Sequence, residues 1–143
     1  GLQSEYGIIN LLLHLKRLME QNQLFFHLYI KITVVLLLKE DKIKLSLLSD
    51  DIFYIVSEDN YIKIFYEQNN EIHSSMIRTS SKSIEEALSA HNIIRCHRSY
   101  MVNTNKIQFF NNDRNNLYVL LTNRKINPIP VSRTYREPIR AFD

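Results

Sequence analysis

The sequence predicts a mainly-β fold, and three features of the residue pattern support this prediction. Short runs rich in Ile, Val, Leu and Tyr recur from residue 28 onward, and several alternate apolar with polar side chains. Polar turn residues separate these runs at near-regular intervals, as at residues 68–70 and 111–116. Residues 83–86 have the Ser-to-Glu spacing of a capping box, which predicts one short internal helix.

The predicted elements begin with an amphipathic helix at residues 4–22, where apolar side chains recur at helical spacing. Strands follow at residues 29–38, 43–47, 52–56, 61–66 and 72–77, and then the short helix from residue 83. Later strands are predicted at residues 93–102, 107–110, 117–121 and 126–130. Ser132 can cap a last helical turn from Arg133, which Pro138 should kink or end because proline has no amide donor. Because the chain has two glycines, Asn should occupy most left-handed turn positions.

These elements divide into a linker helix with a lead-in strand at residues 1–35 and one β domain at residues 36–143. The helix at 4–22 could pack against that domain or form a dimer seam between two copies. The chain starts at Gly1, so we expect a preceding segment, either a receiver or a membrane-spanning region. The stretch at 24–38 is too short and too polar to span a membrane. We expect the domain to be cytoplasmic, even if the whole protein is tethered to a membrane.

The charge distribution favours an anionic partner. The chain carries 18 Lys and Arg against 15 Asp and Glu, for a formal net charge of +3. Between residues 95 and 140 the basic side chains face only Asp113 and Glu137, while most other acids lie earlier. Such a basic half can attract DNA phosphates. The alternative is an ordinary solvated basic face.

The residues that catalysis requires are missing, so no enzyme, metal or cofactor is expected. Gly1 and Gly7 lie far from any strand-to-helix turn, which excludes a glycine-rich phosphate loop. The five histidines lack metal-ligand spacing, and no serine occupies a nucleophile elbow. Cys96 is the single cysteine, which fits a reducing compartment. Its place between Arg95 and His97 suggests a redox-sensitive thiolate, and the alternative is an inert thiol.

Four motifs occur in an order that resembles the LytTR domain family. They are DIFYI with EDNYIKI at residues 51–64, the short helix at 83–88, IRCHRSYMVN at 94–103 and IPVSRTYR at 129–136. The resemblance covers roughly residues 36–142. It implies an elongated fold of about ten strands in small sheets, with one short internal helix besides the amphipathic helix at the N-terminus.

The resemblance also implies a function as the DNA-binding domain of a bacterial transcriptional regulator. Such a domain reads successive major grooves through loops, on tandem half-sites near promoters. It can be the output half of a two-component response regulator or follow membrane-spanning segments. The alternative is a LytTR-like protein-interaction module without DNA binding, which dimerises through the helix at 4–22.

Carried over to this sequence, the resemblance implies three DNA-reading loops, around Asn60, Arg98 and Arg133. Asn can pair with adenine and Arg with guanine. Asn60 could instead be a left-handed turn residue and Arg98 a solvated surface residue. Further DNA contacts are expected from Lys63, Lys82, Ser99, Asn103, Ser132 and Arg136.

Three further residues bear on these expectations. His97 should be a buried, hydrogen-bonded structural residue that points away from Arg98, since neighbours on a strand alternate. Asp59 stands where the family often has glycine, and its carboxylate would repel phosphate. Arg124 stands where the family usually has the glycine of an Asn-Gly turn, so it needs a left-handed conformation or a different turn.

Overall fold

The computed structural model describes residues 9–10, 13–14, 34–39 and 42–143, which divide between two compact units, Gly1–Ser49 and Asp50–Asp143. Residues 9, 10, 13 and 14 are helical, and the rest of the helix predicted at 4–22 lies outside the described residues. So do residues 29–33 of the first predicted strand. The described residues are mainly strand, which confirms the predicted fold class.

The first unit contains an antiparallel hairpin. Strand β1 spans Val34–Lys39 and strand β2 spans Lys42–Leu48, with Val34 opposite Leu48 and Lys39 opposite Lys42. The register shifts between Leu37 and Leu38, which interrupts the ladder locally. The hairpin matches the predicted succession of two strands with a turn between them.

The second unit contains a five-stranded antiparallel sheet with the order β5-β4-β3-β7-β6. Its strands are β3 Ile52–Glu58, β4 Tyr61–Gln68, β5 Glu71–Arg78, β6 Ile93–His97 and β7 Tyr100–Asn103. A 3-10 turn at Ser49–Asp51 precedes β3. Helix α1 spans Ser81–Ser89, connects β5 to β6 and contacts β6.

One face of this sheet forms an apolar strip. Ile64, Ile55 and Met101 lie opposite one another on three adjacent strands, and none is more than 1% exposed. Along β4, buried Ile62, Ile64 and Tyr66 alternate with less buried residues, as the two-residue period of a strand requires. Each large apolar side chain buried in this way contributes about 1.5–3 kcal/mol, so the strip fixes the strand register.

A three-stranded sheet with the order β10-β9-β8 packs on the five-stranded sheet through a shared apolar cluster. Its strands are β8 Ile107–Asp113, β9 Asn116–Leu121 and β10 Ile129–Val131, and β8 follows a 3-10 turn at Thr104–Lys106. The cluster joins alternate residues of β9 to Cys96 and Val102 of the first sheet. A 3-10 turn at Arg133–Tyr135 and helix α2, Arg136–Arg140, follow β10, and Ile139 completes the cluster.

The prediction of one strand at residues 93–102 is wrong. β6 ends at His97, β7 begins at Tyr100, and Arg98 and Ser99 form a tight turn between them. The turn contains none of the Gly, Pro or Asn residues that usually mark one. His97 Nδ1 instead accepts the Ser99 N–H at 3.0 Å, so a side chain supplies the turn bond. The alternation argument that set His97 opposite Arg98 therefore fails.

The expectations for the C-terminal helix hold only in part, because a 3-10 turn does begin after Ser132 at the N-cap position but Pro138 does not end the helix. The Ser132 side chain makes no capping hydrogen bond to the following 3-10 turn. Helix α2 runs through Pro138 to Arg140 and is not ended there. Pro138 lies in the first turn of α2, where an amide N–H has no intrahelical acceptor, so the missing donor costs nothing.

Among the described residues, asparagine occupies most of the left-handed turn positions, as predicted. Asn69, Asn70 and Asn92 all have positive φ, which confirms their expected use in place of glycine. Asp59 and Arg114 also have positive φ, at 50° and 57°. Arg124 does not, because Asn123 organises a different turn. Its Oδ1 accepts the Lys125 N–H at 2.9 Å, and its carbonyl accepts the Ile126 N–H at 3.2 Å.

Candidate nucleic-acid interface

Two of the three predicted loops lie at the same end of the five-stranded sheet. β3 and β6 both run antiparallel to β7, so the β3–β4 turn and the β6–β7 turn emerge at one end. Tyr61 at the start of β4 pairs with Arg78 at the end of β5, which brings Arg78 to the same end. We call this region, formed by residues 59–60, Arg78 and residues 98–99, the loop end.

Backbone hydrogen bonds join all three loops. The Ser57 N–H donates to the Ser99 carbonyl at 2.8 Å, which ties the strand leading to Asn60 to the β6–β7 turn. The Ser132 N–H donates to the Cys96 carbonyl at 3.0 Å, which ties the start of the last 3-10 turn to β6. Asn60, Arg98 and Arg133 are all exposed. The turn that carries Arg98, together with β6 before it, is thus bonded to the segments that lead to the other two loops.

In the first loop, Asp59 has the conformation that had been considered for Asn60. Asp59 adopts φ 50°, and Asn60 is not left-handed, so that interpretation of Asn60 is wrong. Aspartate tolerates the left-handed region better than most residues because its short side chain can hydrogen-bond locally. Both side chains are exposed, so the Asp59 carboxylate lies next to the Asn60 amide that is expected to contact a base.

In the second loop, side chains hold the turn that presents Arg98. His97 is half-buried, accepts the Ser99 N–H, and lies edge-on to Tyr100 with ring centroids 5.6 Å apart. It has the structural hydrogen bond that was expected, although it is less buried than expected. Arg95 donates from Nη1 to the carbonyls of Arg98 at 2.9 Å and His97 at 3.3 Å.

The role of Arg95 did not emerge from the sequence, where it counted only as one of several basic residues. Its Nε donates to Glu85 Oε1 of α1 at 3.0 Å. The available signal was an arginine between Ile94 and Cys96 in an apolar strand, because such a residue needs partners when buried. Two of its partners lie in the adjacent turn, and the third, Glu85, comes from a helix whose proximity only the fold reveals.

In the third loop, Arg133 begins the 3-10 turn and is exposed. Ser132 is half-buried, and its carbonyl accepts the Tyr135 N–H at 3.0 Å. Its hydroxyl makes no capping bond to the turn that it precedes.

Two predicted lysines occupy different settings. Lys82 is exposed on the first turn of α1, shortly after Arg78. Lys63 is half-buried on β4, with Nζ 5.3 Å from the centroid of the Phe65 ring. Phe65 in turn stacks on Tyr54, with 4.4 Å between centroids and 4° between planes. Lys63 therefore belongs to an aromatic row on one face of the sheet.

The prediction that Asn103 contacts phosphate is wrong. Asn103 is 0% exposed and ends β7, at the opposite end of the sheet from Arg98. Its Nδ2 donates to the Ile52 carbonyl at 2.8 Å, and its Oδ1 accepts the Asn105 N–H at 3.0 Å. It therefore stabilises the core, since a buried amide must find partners inside the protein.

Arg136 has an intramolecular partner that the sequence did not indicate. Its Nη2 donates to the carbonyl of Asn115, in the turn between β8 and β9. Arg140 makes a parallel contact, from Nη2 to Asn112 Oδ1 at 3.1 Å. Together these arginines tie α2 to the β8–β9 hairpin.

The interpretation of Cys96 as a redox-sensitive thiolate is wrong, and that of an inert thiol agrees with its setting. Cys96 is 0% exposed within the cluster shared by the two sheets. Burial raises the pKa of its thiol to about 12, against smaller lowering effects of a backbone hydrogen bond and of Arg95. A neutral, enclosed thiol is a poor nucleophile.

Comparison with known proteins identifies the family. The sequence model of the LytTr DNA-binding domain matches residues 41–142. The chain belongs to the LytTR family of DNA-binding domains. The chain is also similar to the sensory transduction protein LytT of Enterococcus faecalis, with 36% identity over 100 residues. That match spans 67% of this chain and 37% of the relative.

A solved structure supports the same fold. It is the LytTr DNA-binding domain of a protein described as a methyl-accepting/DNA response regulator from Bacillus cereus. The two structures superpose with a TM-score of 0.58 at 23% identity, over 76% of this chain and 94% of that one. At this identity the likeness concerns the fold.

Within this LytTR chain, the described residues contain no helix that is long and apolar enough to cross a membrane. Over residues 9–10, 13–14, 34–39 and 42–143, His, Cys, Asp and Glu side chains form no group of three suited to hold a metal ion.

Proposed function

We propose that this LytTR domain binds double-stranded DNA sequence-specifically, with the loops around Asn60, Arg98 and Arg133 entering major grooves. The observation that supports this most directly is the pair of backbone hydrogen bonds that join the three loops, at 2.8 and 3.0 Å. A set of exposed side chains held on one hydrogen-bonded scaffold can approach one DNA surface together. Loops on a rigid sheet are common sites of recognition.

The chemistry of the three side chains suits base reading. Arginine can donate two hydrogen bonds to guanine O6 and N7, and asparagine can pair with adenine N6 and N7. Arg98 and Arg133 are thus proposed guanine or phosphate ligands, and Asn60 a proposed adenine ligand. Lys63, Lys82, Ser99 and Ser132 are proposed phosphate contacts, which would fix the register of the domain on the duplex.

The two similar proteins suggest the wider context. One is a sensory transduction protein and the other a DNA response regulator, and this chain matches 37% of the length of the first. We propose that the domain is the cytoplasmic output part of a bacterial transcriptional regulator. A receiver or a membrane-spanning segment would supply the signal. Two copies would bind tandem half-sites near promoters, held together by residues 4–22.

A second candidate is a protein-interaction module that uses the same fold. Met76 on β5 and Phe109 on β8 are 56% and 57% exposed, and both strands are sheet edges. An exposed apolar edge can pair with another chain. This candidate requires no selective binding to DNA, so one experiment separates the two.

The experiment is a selection from a random duplex library followed by fluorescence anisotropy. The enriched duplex should bind more tightly than a scrambled duplex, and both affinities should fall steeply as salt rises. Arg98→Ala and Arg133→Ala should each cost about 1–3 kcal/mol on the enriched duplex. Arg124→Ala is the matched control, since it removes the same charge from an exposed position outside the three loops. If no duplex is enriched, the interaction module becomes the better account.

A further inference from the structure

Arg95 is a largely buried charged residue next to the proposed interface, and it has no assigned part in DNA recognition. It lies on β6, and its side chain is 9% exposed. A buried guanidinium is costly unless its donors are satisfied. Arg95 pairs its Nε with the carboxylate of Glu85 and its Nη1 with the carbonyls of His97 and Arg98.

These bonds hold the two peptide groups on either side of Arg98. Nη1 binds the carbonyl of Arg98 at 2.9 Å and that of His97 at 3.3 Å, so the peptide planes before and after Arg98 are both fixed. Nε binds Glu85 at 3.0 Å, which sets the plane of the guanidinium from α1. Arginine can do this because its donors form a rigid fork, whereas lysine offers one point charge.

We propose that Arg95 is a positioning residue that sets the direction in which Arg98 leaves the β6–β7 turn, with Glu85 orienting Arg95. The inference rests on the proposed function, because it assigns Arg98 to DNA. Recognition by a bidentate side chain depends on holding its geometry to within about 0.5 Å. The turn has no Gly, Pro or Asn to fix its shape, so side-chain contacts must add to the backbone bond that Ser57 donates to Ser99.

The first test compares Arg95→Lys and Glu85→Gln with the wild-type chain at full length. The probes are a fluorescein-labelled duplex enriched by the wild-type chain and a scrambled duplex of the same composition. Arg95→Lys should weaken binding to the enriched duplex about tenfold, and Glu85→Gln by a smaller factor. Affinity for the scrambled duplex and the salt dependence should not change, because Arg95 itself does not touch phosphate.

The second test repeats Arg95→Lys in an Arg98→Ala background. There it should change affinity by less than about twofold, since the contact that Arg95 positions is already gone. An equal loss in both backgrounds would overturn the proposal and assign Arg95 to general stability or to direct DNA contact. No loss in the wild-type background would overturn it as well.

A measurement without DNA separates this inference from the proposed function. In the free protein, Arg95→Lys should accelerate amide exchange at Ser99 about tenfold while leaving Ile64 unchanged, as expected for local opening of the turn. Unchanged exchange at Ser99 would overturn the positioning role even if the domain binds DNA. If the wild-type chain enriches no duplex, the proposed function fails. Accelerated exchange at Ser99 in Arg95→Lys would still show that Arg95 stabilises the turn. Glu85→Gln supplies both measurements if Arg95→Lys does not fold.

Discussion

Asp59 combines a backbone requirement with an electrostatic penalty. Its φ of 50° lies in the region that glycine enters at least cost, which agrees with the expectation of a glycine at this position. This chain has an exposed carboxylate at that point, beside Asn60. The sequence revealed the unusual residue but not that Asp59, rather than Asn60, takes the left-handed position.

Substitution of Asp59 should separate the two effects. Asp59→Gly should raise the free energy of unfolding by up to about 1 kcal/mol, because the left-handed conformation no longer strains a Cβ. Asp59→Asn should leave stability almost unchanged, since asparagine also tolerates this region. Both variants should bind DNA more tightly than the wild type, because the carboxylate near phosphate is removed. Urea unfolding and anisotropy measure the two quantities, and equal DNA affinity for all three proteins would contradict the account.

Cys96 should make stability depend on alkaline pH. Its thiol ionises at about 12 in the folded protein, against an ordinary pKa of 9.0. The folded state therefore keeps a proton that the unfolded chain releases, and the free energy of unfolding falls as pH rises above 9.0. Cys96→Ala should show a smaller fall than the wild type between pH 9.0 and about 12. Parallel pH profiles for the two proteins, measured by urea unfolding, would contradict the assigned burial.

At the scale of secondary-structure elements, predictability depended on how local the determining contacts are. The hairpin tip at Asn69 and Asn70 was predicted, because asparagine itself favours the left-handed turn. The β6–β7 turn was missed, because the side chains of Arg95 and His97 hold it in place of a typical turn residue and Glu85 binds Arg95 from another element. The expectation that Pro138 could end the helix failed for a related reason, because the effect of a proline depends on where the helix begins.

The attachment of α2 to the β8–β9 hairpin gives a prediction for this element. Arg136→Ala should lower the free energy of unfolding by about 0.5–1.5 kcal/mol, because it removes an exposed hydrogen bond to the Asn115 carbonyl. Thermal unfolding measures this, with Arg124→Ala as the control for charge. The slope of log affinity against log salt should stay the same. A slope reduced by about one would instead assign Arg136 to a phosphate.

At the scale of the whole molecule, the order of four short motifs predicted the family and the mainly-β fold. The motifs could not reveal which loops share an end of the sheet, because that depends on the strand order β5-β4-β3-β7-β6. Asn103 shows the limit most clearly. It lies in the same motif as Arg98 but at the opposite end of β7, so motif membership did not decide exposure.

The proposed dimer seam at residues 4–22 predicts cooperative binding. Leu11→Glu and Leu18→Glu should weaken binding to a duplex with two half-sites, because they place charge on the apolar stripe. Affinity for a duplex with one half-site should remain unchanged. Anisotropy with the two duplexes measures the difference, and Asn10→Glu, on the other side of the predicted helix from the stripe, controls for added negative charge in the same segment. A loss of affinity on both duplexes would contradict the seam.

The central claim is that exposed loops on a β scaffold read DNA bases. The most direct measurement is the affinity for every single-base-pair variant of the enriched duplex, with the wild type and with Arg98→Ala. We predict that the wild type loses about 1–3 kcal/mol at a few clustered positions, and that Arg98→Ala removes this discrimination at one cluster only. Uniform weakening by Arg98→Ala at all positions, or a wild type indifferent to every base change, would contradict the claim.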